Sequence, residues 1–296
     1  MHHPKISIIL VTYNRAQYIE ETIGSIIAQT YRNWELLIID NGSDDETASI
    51  IQDIADSRIT YEQTSRLKMG PAKNIALRKA SGDLIAFMDD DDLWMETKLE
   101  KQVEALLAYP DAGFCYTNGY NFRNGGEIVE YPMTRKEGMD FGYIFESYCK
   151  GERGIYTIAV IFWKECLKKT GYFTDSYFFT DNTFISCLTY YFKGVTLYEP
   201  LFKRRLHAHN TNSIVANENR REHLDYLKSY KAKGWLSADI AEDASFLVYI
   251  NSGNELTNEH NHKEAIVNYL NAWSVKPLSI IPAKKLLRLF LAYIRR

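Results

Sequence analysis

Four consecutive aspartates, Asp89-Asp90-Asp91-Asp92, follow directly on the apolar run Leu84–Met88 (LIAFM). Adjacent carboxylates repel one another, so an uncompensated cluster is destabilising. Two arrangements would account for it. One is a solvated acidic turn, with Asp92 capping a helix that begins near Leu93. The other is a site for a hard cation. Mg²⁺ and Mn²⁺ take oxygen ligands and typically use one or two carboxylates together with substrate phosphates. Carboxylates repel phosphate, so such a site accepts a nucleotide diphosphate only through a bridging metal.

The elements around the aspartates bear on that choice. Ile6–Val11 (ISIILV), Leu36–Ile39 (LLII) and Leu84–Met88 are continuous apolar runs, as strands buried on both faces should be. Ile59–Tyr61 is a shorter one. Between them, Ala16–Gln29, Glu46–Ala55 and Pro71–Ala80 have helical spacing, the last ending at Ser81-Gly82. Strand and helix alternating at this pace imply an α/β fold with a mainly parallel sheet flanked by helices. Ligands of such sheets sit at the carboxyl ends of the strands. Thr12-Tyr13-Asn14, Asp40-Asn41-Gly42-Ser43 and Asp89–Asp92 all fall there. Farther on, Gly113–Asn118 and Ile155–Phe162 read as strands and Phe184–Phe192 as a helix.

Composition narrows the function. The chain has 296 residues, 46% hydrophobic and 25% charged, enough for a packed core. With 35 Lys+Arg against 38 Asp+Glu it lacks the basic surface of a nucleic-acid binder. Its 21 tyrosines suit polar ligands with flat faces, such as sugars and bases. Cys115, Cys149, Cys166 and Cys187 have no CxxC spacing and read as reduced thiols of a cytosolic protein. No stretch is long enough to span a bilayer, which leaves a cytoplasmic protein, soluble or peripheral on the inner face of the membrane.

Three blocks, PKISIILVTYNR, IIDNGSDDET and GPAKNIALRKASGDLIAFMDDDDLW, occur in an order and spacing that resemble the family 2 glycosyltransferases of the GT-A fold, over about residues 4–213. The resemblance implies a Rossmann-like sheet and inverting, hexosyltransferase-type transfer from a nucleotide-diphosphate donor, most often a UDP-sugar. Residue by residue, it puts Thr12 and Tyr13 beside the nucleobase. Asp40 and Asn41 take the pair that reads the base edge, where the family usually has Asp-Asp; an Asn can accept from uracil N3–H and donate to O4. Lys73 matches a basic position near the nucleotide. Asp89 and Asp90 face the ribose and sugar. Asp91 is the direct ligand of Mn²⁺ or Mg²⁺, Asp92 a helix cap or outer group, and Trp94 packs beside the site. Tyr13 and Trp94 read equally well as core packing.

Inverting transfer needs a carboxylate on the acceptor side to take the hydroxyl proton, away from the metal that stabilises the leaving diphosphate. Asp181, in Phe178-Phe179-Thr180-Asp181-Asn182, resembles the family's acceptor-side acid, which usually follows Glu rather than Thr. It could instead be an N-cap, and Asp175 is the competing acid. The segment Lys203–Asn210 resembles the family's basic, His-containing segment. There Arg205 would contact the diphosphate as part of a closing loop, and His207 would ligate the metal or touch the leaving group.

The expected division is a catalytic unit over 1–214 and a helical region over 215–296. Glu218–Lys231, Ala238–Asn251, His262–Trp273 and Ala283–Ile294 read as its helices. Residues 244–277 resemble a single tetratricopeptide hairpin, although solenoids need about three repeats. Residues 283–296 (AKKLLRLFLAYIRR) form a basic amphipathic helix, either buried or lying on an anionic membrane where lipid-linked acceptors reside. As acceptor, the resemblance to family 2 implies a saccharide or lipid-linked hydroxyl in cell-surface polysaccharide synthesis. Two other functions compete. A non-catalytic nucleotide-sugar-binding or scaffold protein would use the helical tail for partners, but Asp91 and Asp181 argue against it. A nucleotidyltransferase would want a Gly-rich basic loop after the first strand, which Thr12–Arg15 is not.

Overall fold

The computed structural model describes residues 3–123, 126–130, 136–175, 180–207 and 216–294. The first half alternates as expected: β1 (Ile6–Thr12), α1 (Ile19–Ile27), β2 (Trp34–Asp40), α2 (Thr47–Gln52), β3 (Ile59–Gln63), α3 (Met69–Lys79) and β4 (Leu84–Asp89). There follow β5 (Leu93–Trp94), α4 (Lys98–Ala108), β6 (Ala112–Phe122), β7 (Ile128–Glu130), β8 (Met139–Gly142), α5 (Phe145–Cys149), β9 (Val160–Trp163), α6 (Leu167–Thr170), α7 (Thr180–Tyr191) and β10 (Lys193–Arg205). Four longer helices complete the chain: α8 (Ala216–Ala232), α9 (Ala238–Asn258), α10 (His262–Val275) and α11 (Ile280–Ile294).

One sheet runs in the order β3-β2-β1-β4-β9-β6-β10-β5. Every residue of β1 is buried, because helices cover both faces of its run of Ile, Leu and Val. The β3-β2-β1-β4 half is parallel. Beyond it the sheet is mixed, since β9 runs antiparallel to both β4 and β6. Hydrophobic period reports that a strand is buried but not which way it runs, so "mainly parallel" holds only for the first half. The register matters for function: Thr12 lies opposite Asp40, Val11 opposite Asp89, and Asp40 opposite Gln63. The polar residues after β1, β2 and β4 therefore share one edge of the sheet.

Two local expectations change. No helix starts at Leu93: the chain makes the two-residue strand β5, and α4 begins at Lys98. Asp92 is consequently not a helix cap. Its carboxylate accepts from the backbone N–H of Arg205 at 2.7 Å, and its carbonyl accepts from the Thr22 hydroxyl at 3.0 Å. Ile155–Phe162 is not one strand either, because a 3₁₀ turn over Thr157–Ala159 precedes β9.

The chain divides into two units, residues 1–144 with 154–210, and residues 145–153 with 211–296. The linear division at 214 has no place for Phe145–Arg153, and the expected boundary falls partly on residues 208–215, outside those described. Within the second unit, the Phe145 ring meets Tyr230 and Trp235 edge-on, with centroids 5.7 and 6.1 Å away. The α9–α10 hairpin closes tightly, since a Cβ on Gly253 would stand 2.5 Å from the Tyr269 ring. Ala265, Tyr269 and Ala272 are buried there with Phe246, Ile250 and Leu256.

Lys98, the first residue of α4, holds the chain just past the aspartates. It is fully buried, donates to Gln102 Oε1 at 2.7 Å and sits 4.2 Å from the centre of the Trp94 ring. Trp94 in turn donates from its indole to the Ile158 carbonyl at 3.2 Å. Burial pushes Lys98 down to about 7. In the unfolded chain it stays protonated to roughly pH 10. Between those values the unfolded state binds the extra proton, so stability rises with pH. We predict that the wild type gains roughly 2–4 kcal/mol on Lys98→Met between about pH 7 and about pH 9.5 in urea unfolding; a difference that does not change with pH would refute it.

Candidate active site

The acidic corner is built by cationic and imidazole groups that reach it from elsewhere in the chain. His207 Nε2 lies 2.8 Å from Asp91 Oδ2, and the imidazole stacks on Tyr18 with ring centroids 5.2 Å apart. Arg15 pairs with Asp90 Oδ1 at 3.2 Å and stands 3.8 Å from Asp91 Oδ2. The Tyr13 backbone N–H also donates to Asp90, at 3.2 Å. Arg205 closes the back. Its Nε donates to the Asp91 carbonyl at 2.8 Å, its guanidinium pairs with Glu21 at 2.5 Å, and it lies 4.7 and 4.5 Å from the Tyr18 and Phe122 ring centres.

Even so, the carboxylates are under electrostatic load. Burial, opposed by Lys73, raises Asp89 to about 6. Burial, opposed by Arg15, raises Asp90 to about 7. Asp92 goes well above the usual carboxylate range through burial and the charges of Asp91 and Asp89. Positive charge added at this corner would relieve the repulsion. Asp91 and His207 offer a cation one carboxylate oxygen and one imidazole nitrogen, and phosphate oxygens can supply further ligands. Among the described residues no three His, Cys, Asp or Glu side chains group to hold a metal alone. The donor set thus fits Mn²⁺ or Mg²⁺ shared with a diphosphate better than a closed structural site.

Asp181 lies in the first turn of α7. Lys73 Nζ donates to its Oδ1 at 2.6 Å, and the Thr157 hydroxyl to its Oδ2 at 3.3 Å. Two residues singled out separately in the sequence thus form one ion pair. Lys73 is buried, with its ammonium 5.7 and 5.2 Å from the ring centres of Phe87 and Phe173. Two contacts set its position. Asn74 exchanges both amide hydrogen bonds with the Phe173 backbone at 3.0 Å each. Gly70 lets α3 approach so closely that a Cβ there would lie 2.3 Å from the Thr174 carbonyl. Asp175 contributes its carbonyl, to Lys68 Nζ at 3.0 Å.

On the expected base side the structure differs from the simple assignment. Asp40 is fully buried: Oδ1 accepts from the Ser43 N–H at 2.8 Å, and Oδ2 from the Tyr61 hydroxyl at 2.7 Å and Gln63 at 3.3 Å. Asn41 spends both amide groups on the Leu67 backbone, at 3.0 and 2.8 Å. Both side chains shape the loops instead of standing open. Thr12 is buried at the strand end. The Tyr13 face carries Arg66, whose guanidinium carbon sits 3.4 Å from the ring centre. Sequence reasoning missed Arg66, since a lone Arg in an aperiodic loop gives no signal. Arg205, expected in a closing loop, is the buried last residue of β10 and braces the acidic corner. Phe178, Phe179, Ala208, His209 and Asn210 lie outside the described residues.

The model of the family described as "Glycosyl transferase family 2" matches residues 7–170. The chain is 41% identical over 125 residues to the UDP-Glc:alpha-D-GlcNAc-diphosphoundecaprenol beta-1,3-glucosyltransferase WfgD of Escherichia coli, covering 42% of this chain and 49% of that one. It is 39% identical over 123 residues to the putative teichuronic acid biosynthesis glycosyltransferase TuaG of Bacillus subtilis, covering 40% and 47%. The chain thus spans about half the length of these two relatives. Similar solved structures include S. aureus TarS 1-349 with UDP-GlcNAc, at TM-score 0.64 and 17% identity over 92% of this chain and 81% of that one. They also include the mannosyltransferase PcManGT of Pyrobaculum calidifontis with GDP-Man and Mn²⁺, at 0.65 and 18% over 100% and 82%. The fold is therefore the GT-A fold, with helices added at the C-terminus.

Gly70 gives a direct check on the Lys73–Asp181 geometry. Gly70→Ala must push α3 off the Thr174 carbonyl, a backbone atom that cannot swing aside. We predict a loss of roughly 1–3 kcal/mol in urea unfolding; full stability would mean that α3 does not pack this closely.

Proposed function

The chain belongs to glycosyl transferase family 2, and on that premise we propose that it transfers a sugar, with inversion, from a UDP-sugar to a hydroxyl of a saccharide or lipid-linked acceptor in cell-surface polysaccharide synthesis. One observation carries this reading. Two carboxylates far apart in sequence, Asp91 and Asp181, each pair with a group from another segment, His207 at 2.8 Å and Lys73 at 2.6 Å. Asp89 links the two, since it feels the charges of Lys73, Asp181 and Asp91 together.

Each group then has a task. Asp91 and His207 would hold Mn²⁺ or Mg²⁺, which supplies charge stabilisation to the departing diphosphate. Asp181 accepts the proton of the attacking hydroxyl as it adds to C1 of the sugar. Its side chain is 40% exposed, so an acceptor can reach it. Lys73 and Thr157 keep that carboxylate aimed. Arg15 holds Asp90, and Arg205 fixes the backbone under Asp91. Tyr13 and Thr12 border the base, while Asp40 and Asn41 hold the loops that frame it. The uridine donor and the lipid-linked acceptor are supported by the name of the E. coli relative, whose donor is UDP-Glc and whose acceptor is a diphosphoundecaprenol-linked sugar.

Two variants separate the roles. Asp91→Asn is expected to abolish the Mn²⁺-dependent part of UDP-sugar binding in calorimetry. Asp181→Asn is expected to lower turnover by roughly 10²–10⁴ while leaving that binding in place. Retained turnover in Asp181→Asn would remove it as the base. Donor binding without turnover in the wild type, across a panel of acceptors, would favour a binding protein over an enzyme.

A further inference from the structure

The last described helix buries only part of its apolar surface. Leu286 and Leu289 of α11 pack against the cluster of Phe246, Ile250 and Tyr269. At 100° per residue, Phe290, Leu287 and Leu291 lie about 40°, 100° and 140° round the helix from Leu286. They run from the edge of the packed face round to the far side and are 60%, 56% and 44% exposed. Lys284 and Arg288 border the stripe at about 160° and 200°, and α11 has no acidic residue in its sequence IIPAKKLLRLFLAYI. Leu278, just before the helix, is 98% exposed.

We propose that this face of α11 lies in the plane of an anionic bilayer. The stripe of Leu287, Phe290 and Leu291 sits among the acyl chains, and Lys284 and Arg288 lie against lipid phosphates. The charge pattern selects this occupant. A second copy docked stripe to stripe would bring Lys284 and Arg288 of both helices together, with no carboxylate on either helix to offset them. A bilayer presents phosphates beside an apolar interior, which is the pattern that a basic-edged apolar helix recognises. Among the described residues no helix is long and apolar enough to cross a membrane. This inference rests on unit two alone and needs no glycosyl transfer.

The test is co-sedimentation of the full chain with vesicles of phosphatidylcholine alone or mixed equally with phosphatidylglycerol. Binding is expected to the mixed vesicles and to weaken as salt is raised. Lys284→Gln/Arg288→Gln is expected to weaken it on the order of 30-fold. Leu287→Ser/Phe290→Ser is expected to lose it while keeping its far-UV dichroism and melting temperature, because both side chains are already exposed. Three results would overturn the proposal: no binding to mixed vesicles, binding that survives Leu287→Ser/Phe290→Ser, or self-association in ultracentrifugation that this variant abolishes without any vesicle binding.

Discussion

Crowded negative charge at the end of β4 is the constraint on which the rest of the catalytic unit depends. Burying several carboxylates in one turn is unfavourable unless cations or hydrogen-bond donors are brought to them. The chain brings Arg15 from the loop after β1, Lys73 from α3, and Arg205 and His207 from the end of β10. These segments are distant in sequence, and the aspartates are what they share. The GT-A sheet can be seen as the scaffold that delivers them to one edge: β1, β2 and β4 end in register, and β10 ends beside them through its hydrogen bond to Asp92. The load is only partly offset, as the raised Asp89 and Asp90 show.

The second organising contact is Lys73–Asp181. An ammonium buried against Phe87 and Phe173 needs a counter-charge, and Asp181 provides it. Asp181 gains a fixed orientation in return. The Asn74–Phe173 exchange and the bare backbone at Gly70 tie α3 to the segment ahead of α7, so the ion pair is set by packing as well as by charge.

Much of this was legible in the residues. Buried runs such as ISIILV and LIAFM gave β1 and β4, and the polar residues after them gave the edge where the site lies. The resemblance to family 2 pointed to Asp91, Asp181 and His207; in the structure His207 pairs with Asp91, and Asp181 with Lys73. What could not be read was pairing across long separations. Nothing in a lone Lys73 says that its partner is Asp181, and nothing in Arg205 distinguishes a buried brace from a mobile loop cation. Strand direction was equally silent: VIFW reads the same whether β9 runs with or against β4. Short elements such as β5, β7, β8 and α5 fell below the length at which periodicity has any force. Asn41 shows the limit most sharply, since its amide could have met a base edge or a backbone with equal chemistry, and only the loop at Leu67 decides.

The discontinuity of the second unit has a temporal side. Phe145 and its neighbours leave the ribosome well before Tyr230 and Trp235, the rings they meet. Until those rings emerge, Phe145 is without the aromatic contacts that it makes to them in the finished fold. Long-range closure of this kind slows folding, and vectorial synthesis makes the nascent helical region a late event. The polypeptide therefore cannot be divided at a single peptide bond into two pieces that each carry all of their own fold.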